Sequence, residues 1–159
     1  MKHFQALGGD ASILADVDGA LGHLHAAGIA DSKIGLVGFC AGGRVSFLVA
    51  LRRALGACVG FYGGGIVTGR IPQFPPLVDE AEALQSPWLG LFGDQDAAIP
   101  VEDVEQLRAA LTAAKVDTEI VRYAEAGHGF HCDQRPDYRA EDAAAAWARM
   151  LDWFASHLK

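Results

Sequence analysis

The chain has no cluster of lysine and arginine. Its 13 basic residues are scattered among 20 acidic ones, for a formal net charge of −7 at pH 7. A polyanionic partner needs a basic face, so nucleic acid and anionic membrane surfaces are not expected partners. No apolar run approaches the roughly 20 residues of a membrane-spanning helix, and the N-terminus lacks the basic-then-apolar pattern of a secretory leader. Cysteine is scarce: Cys40, Cys58 and Cys132 are the only three. An odd number cannot pair completely, and the spacing fits neither a disulfide framework nor a zinc site. The expectation is a cytoplasmic protein in a reducing compartment, with no metal and no cofactor. Internal repeats and low-complexity tracts are also missing. A length of 159 residues, 51% of them hydrophobic, suits one domain over 1–159 with an ample core.

Apolar and polar residues alternate on two different periods. Ile13, Leu14, Val17, Leu21 and Leu24 recur at three- and four-residue steps, predicting a helix begun by Asp10 or Ser12 and stopped by Gly28. Short apolar runs at 34–39, 57–62 and 88–92, and an alternating run at 118–123, predict four strands. Between them lie helices burying Val45, Leu48, Val49 and Leu55, then Val101, Val104, Leu107 and Leu111. A last helix at about 140–157 aligns Trp147, Met150, Leu151, Phe154 and Leu158. Residues 68–86, rich in Pro and Gly and then acidic, predict a surface excursion with at most a short helix. This alternation is that of an α/β parallel sheet flanked by helices.

The organising stretch is Gly38-Phe-Cys40-Ala-Gly-Gly43, where the first strand runs straight into a helix. It is a G-x-nucleophile-x-G pattern with cysteine as nucleophile. A nucleophile on so tight a turn has a strained backbone, and side chains two residues to either side would collide. The helix N-terminus favours the thiolate.

Ligand sites in open α/β sheets gather at the carboxyl ends of strands. Cys40 follows the first strand, Asp94 and Asp96 the third, and His128 the fourth. A thiol needs a base, and the imidazole needs a carboxylate to fix its tautomer. Asp94 is close enough to its strand to serve the turn, whereas Asp96 lies deeper in the loop and is the favoured partner of His128. His3, His23, His25 and His157 sit on terminal or helical positions, and His131 trails the loop. Cys58 falls on a core strand as an inert thiol. Gly63-Gly-Gly65 lacks the Lys and Ser/Thr of a phosphate loop, so it reads as a turn. Arg44, Arg70 and Arg135 are candidates for gripping a carboxylate. With Arg44, the aromatic residues Phe39, Tyr62 and Phe130 are candidates for substrate contact.

The elbow, together with Gly93-Asp-Gln-Asp96, Ile99-Pro100 and Gly127-His128-Gly-Phe130, resembles the dienelactone hydrolases. The likeness runs from about Asp10 to the C-terminus. It implies the α/β-hydrolase fold, with Cys40 as nucleophile, His128 as base, Asp96 as its orienter and the N–H of Ala41 as one oxyanion donor. It further implies thiolate attack on a lactone or ester carbonyl, a thioester, and hydrolysis by water that His128 activates. Family members are usually longer, with several strands ahead of the helix that starts at Asp10. Those strands would carry a second oxyanion N–H and a substrate-binding arginine. Where some members have a further substrate arginine, four residues after the histidine, this chain has Cys132. Without the earlier strands, the first strand here would be an uncovered edge able to pair with a second copy or another chain. The alternative expectation is accordingly an inactive C-terminal portion, acting as a sheet-completing subunit or a truncated product.

Overall fold

The computed structural model describes residues 8–159; His3 lies outside the described residues. Helix α1 (Asp10–Ala26) leads through a short 3-10 turn into strand β1 (Gly35–Phe39), and α2 (Ala41–Arg52) follows at once. Strand β2 (Ala57–Phe61), a 3-10 segment (Val78–Ala83), β3 (Trp88–Gly93), α3 (Val101–Leu111), β4 (Thr118–Tyr123) and α4 (Ala140–His157) complete the order. The four strands form one parallel sheet in the order β1-β2-β3-β4. Every residue of β2 and β3 is buried. This is why both read as unbroken apolar runs: a parallel sheet is covered on both faces.

The pleat assigns the faces. A Cβ at Gly60 would meet Ser46 Oγ, so that face of the sheet carries α2. On the opposite face, a Cβ at Gly35 would meet the Phe154 ring of α4. The indole N–H of Trp88 donates to Ser46 Oγ at 3.1 Å, and that hydroxyl donates to the Gly43 carbonyl at 2.8 Å. The buried polar groups between α2 and β3 therefore satisfy one another.

Three expectations change. Residues 68–86 are not a surface excursion: Phe74, Leu77, Val78, Ala81 and Leu84 are all buried. The 3-10 segment turns once every three residues, so Val78, Ala81 and Leu84 share an inner face while Asp79, Glu80 and Glu82 stay outside. Helix α4 keeps Met150, Phe154 and Leu158 against the core as expected, but Ala143, Ala146 and Trp153 share that face in place of Trp147 and Leu151. Two small residues let its backbone approach the sheet, which turns Trp147 (44% exposed) and Leu151 (49%) outward. Finally, neither Asp10 nor Ser12 caps α1. The N-cap is Gly9, at φ 82°, with no side-chain bond, and the Asp10 carboxylate is engaged elsewhere.

Among the described residues strand β1 is a sheet edge, with Val37 (40%) and Phe39 (38%) exposed. Its junction with α2 depends on missing side chains. A Cβ at Gly38 would run into the carbonyl of Gly42, and one at Gly43 would lie 2.6 Å from Phe61 O and 2.7 Å from Gly63 Cα. Gly42 differs, since a Cβ there meets nothing within 4 Å. The expected collision on both sides of the cysteine therefore holds on one side only. Gly38→Ala should cost about 3 kcal/mol or more through overpacking against backbone, whereas Gly42→Ala should gain about 0.5–1 kcal/mol of helix propensity. Urea unfolding midpoints of the two variants check this.

Candidate active site

Cys40 occupies the turn itself, at φ 55° and ψ −117°. That is a left-handed conformation unusual for a residue with a Cβ, and such strain gathers at functional sites. Two backbone bonds hold it: Cys40 N–H donates to Phe61 O at 3.0 Å, and Cys40 O accepts from Gly43 N–H at 2.9 Å. The thiol is thereby presented beyond the carboxyl ends of β1 and β2.

The loop after β4 brings His128 to it. Nε2 lies 3.1 Å from Cys40 Sγ, and Nδ1 lies 2.7 Å from Asp96 Oδ2. Asp96, almost fully buried, accepts a second bond on Oδ1 from Ala98 N–H at 2.9 Å. The two aspartates of the β3 loop have separate partners. Asp94 takes Arg122 in a two-pronged pair at 2.7 and 2.8 Å, fixing the loop to β4, and only Asp96 meets the imidazole.

These contacts set the charges. The bond from Asp96 is the chief cause that lifts His128 to about 9, against burial and with help from Cys40. Burial alone would push the Cys40 thiol up, but His128, the N–H of Ala41 and the charge of Arg70 outweigh it and lower its pKa. Both shifts act in the same sense, toward the charged form of each partner. Cys58, within the core, is pushed up to about 12 by burial.

A cleft of about 360 Å3 opens over the sulfur, lined by Phe39, Cys40, Tyr62, Gly129, His131, Cys132 and Arg135. A family model for the dienelactone hydrolase family matches residues 1–158. The chain belongs to the dienelactone hydrolase family. It is 44% identical to the "Putative carboxymethylenebutenolidase" of Yersinia pestis, over 93% of this chain and 56% of that protein. Identity to a "Probable 2-oxo-3-(5-oxofuran-2-ylidene)propanoate lactonase" of Bradyrhizobium is 35%, over 94% of this chain and 61% of the other. The crystal structure of a "Putative Dienelactone Hydrolase" from Klebsiella pneumoniae superposes with a TM-score of 0.86 at 42% identity, covering 92% of this chain and 62% of that one. The chain thus spans little more than half the length of the curated relatives it matches.

Against this family background, two expected substrate contacts do not reach the cleft. Arg44 is 2% exposed, and its guanidinium binds both Asp10 oxygens (2.6 and 3.0 Å) and the carbonyls of Gly65 and Pro75. It ties α1 and the 65–75 segment to the elbow helix, with four of its five N–H donors engaged there and the side chain buried. Phe130 is fully buried, packed on Phe61, Tyr62 and Tyr123, and supports the cleft from behind. Phe39 and Tyr62 do line the cleft. His131, set aside in the sequence, also forms part of its wall. Its ring lies 5.5 Å from Phe39 and 5.4 Å from Trp147, and burial lowers its pKa. A sequence pattern cannot show this, because the loop turn at Gly129 (φ 79°) decides which way residue 131 faces. No helix of the described residues is long and apolar enough to cross a membrane.

Since the thiolate is the species that alkylates, iodoacetamide should label Cys40 at a lower pH than an ordinary free thiol, which titrates at about 8.5. Asp96→Asn removes the main support of the imidazolium, so the Cys40 thiol should titrate higher. Labelling at neutral pH should fall about tenfold, the equivalent of one pKa unit. Mass-spectrometric labelling rates across pH measure the shift, with Cys58 as the unreactive internal reference.

Proposed function

We propose that this chain provides the chemical centre of a hydrolase that opens a lactone or carboxylic ester through Cys40, His128 and Asp96. The observation that carries this reading is the continuous contact from Sγ through the imidazole to the buried carboxylate. In the proposed course the thiolate attacks the acyl carbon, and the carbonyl oxygen becomes an oxyanion near the N–H of Ala41, at the start of α2. The tetrahedral species collapses, the C–O bond breaks, and the leaving alkoxide takes a proton from the His128 imidazolium. The thioester is then hydrolysed: neutral His128 removes a proton from water, hydroxide adds to the acyl carbon, and the thiolate departs. Asp96 holds the imidazole in one orientation and stabilises its charged form throughout. The names of the relatives in Yersinia and Bradyrhizobium point to the same substrate class, a butenolide-type lactone. Neither a cofactor nor a metal has a part in this course.

Turnover of a panel of dienelactones and p-nitrophenyl esters tests the reading. Cys40→Ala should lose essentially all activity, and His128→Ala at least about 10² of it, the usual scale for a general base. Full activity in Cys40→Ala would sink the proposal.

A second reading has its own observation, the bare edge of β1 with Val37 and Phe39 exposed. An unpaired strand beside apolar side chains is a template for another chain. On this reading the chain acts as a portion of a larger sheet, pairing through β1 with a second copy or a different polypeptide. It then gains from that partner a second oxyanion donor, worth about 10²–10³ in rate. Gel filtration over a dilution series decides between the two: a stable monomer with full turnover rules the second reading out, and concentration-dependent dimers with activity that follows dimer content support it.

A further inference from the structure

The cleft over Cys40 does not end at its own wall. A second hollow of about 530 Å3 opens beside it, over the first turns of α4, and His131 lines both. The His131 ring lies 5.5 Å from Phe39 on the cleft side and 5.4 Å from Trp147 on the other, and the buried Phe61 backs it at 5.1 Å. It is a ridge between two hollows rather than the end of one. Alanine makes the room. Residues 140, 143 and 144 of α4 are all alanine, and each lines the second hollow. A methyl group at these places leaves depth that a leucine would fill, and Trp147, about one turn further along, is part of the same wall.

Single exposed apolar side chains are ordinary, but here they gather. Of the six large apolar side chains exposed among the described residues, Phe39 lines the first hollow, and Tyr138 and Trp147 line the second. Apolar side chains concentrated on a concave surface mark a binding site. Tyr138 is placed by its backbone: its N–H donates to Arg135 O at 3.1 Å, and the next N–H, of Arg139, donates to Phe130 O at 3.0 Å. Both bonds tie it to the histidine loop. Burial lowers the pKa of His131, so the ridge is uncharged at neutral pH. Asp133 is the one acidic residue lining the second hollow, and its carboxylate accepts from the Gln134 side-chain amide at 3.4 Å. Aromatic walls, an alanine floor and no cation among the lining residues suit a neutral apolar group and disfavour an anion.

We propose that the hollow over α4 seats a neutral aryl arm of the substrate, carried by the same ester or lactone whose carbonyl is taken at Cys40. This deepens the hydrolase reading and rests on it for the reaction itself. The arm crosses His131 and lies against the rings of Trp147 and Tyr138. A volume of about 530 Å3 falls within the range of roughly 300–1,000 Å3 usual for small-molecule sites, so a bicyclic aryl group has room. Continuity with the Cys40 cleft through His131 assigns the occupant: the group in the second hollow belongs to the molecule that reaches the sulfur. The seat is remote from the reacting carbonyl, so it holds substrate and transition state alike. Its contribution therefore falls on KM and leaves kcat nearly unchanged.

Alkylation of Cys40 reads the seat without any turnover. N-(1-naphthyl)iodoacetamide and iodoacetamide carry the same reactive carbon, one with a bicyclic arm and one without. The ratio of their rate constants at Cys40 measures what the arm gains. Trp147→Ala should lower that ratio about fivefold, within the range of an aromatic pair. Ala144→Leu, at an exposed position, should lower it by a similar factor by filling the hollow. Trp147→Phe should keep most of the ratio. Leu151→Ala, which removes an exposed apolar side chain of α4 outside the hollow, should leave it as it is. An unchanged ratio in both Trp147→Ala and Ala144→Leu overturns the proposal. An equal fall in Leu151→Ala also overturns it, because the arm would then be adhering to apolar surface in general. A parallel comparison uses turnover of 1-naphthyl acetate and methyl acetate, where Trp147→Ala should raise KM for the naphthyl ester alone. If neither ester is hydrolysed while the alkylation ratio still depends on Trp147, the hydrolase reading fails and the seat stands. If both are hydrolysed while the ratio ignores both substitutions, the seat fails and the hydrolase reading stands.

Discussion

At Gly38 a single hydrogen atom separates strand β1 from the first turn of α2, and at Gly43 the same holds between α2 and the backbone after β2. No side chain fits at either place. These two approaches let the helix begin on the residue after Cys40, force the cysteine into a left-handed conformation, and bring the backbone after β2 against the elbow. Lengthening either contact would move the sulfur relative to the loops after β3 and β4. Everything else in the site is positioned with respect to that turn.

Electrostatics then divides the neighbouring residues into separate tasks. Two aspartates, two positions apart on one loop, have different partners because the loop reverses between them. Asp94 points back to Arg122 on β4, and Asp96 points inward to the imidazole. Burial of Asp96 matters here, because a carboxylate removed from water interacts more strongly with an adjacent imidazolium than an exposed one. The arginines show a similar division. Arg44, on the first turn of the elbow helix, is spent on Asp10 and two carbonyls, holding α1 and the 65–75 segment to the helix that follows Cys40. Arg70 adds its charge to the influences that lower the Cys40 pKa. Arg135 is left facing the cleft.

The sheet is unequal at its two sides. Central strands β2 and β3 are sealed, while β1 leaves Val37 and Phe39 to solvent. The strand that runs into Cys40 also gives the cleft one of its sides, through Phe39.

The sequence by itself determined the alternation of strands and helices, the elbow, and the strand ends that carry cysteine, aspartate and histidine. Each of these is a local pattern: glycine where backbones nearly touch, a period of two or 3.6, and a polar residue where an apolar run stops. Tertiary structure decided which residues face which way. The 68–86 segment looked like surface because Pro, Gly and acidic residues dominate it, yet Phe74 and Leu77 are buried and a three-residue period adds Val78, Ala81 and Leu84. Trp147 and Leu151 looked like core by their spacing along the helix, and two alanines displaced them. Arg44 and Phe130 looked like substrate contacts by proximity along the chain, and partners distant in sequence claimed them. His131 and the free arm of Arg135 became visible only through the turn at Gly129. Orientation of this kind depends on long-range packing and on the competition for each charged group, and neither is written in the spacing of residues along the chain.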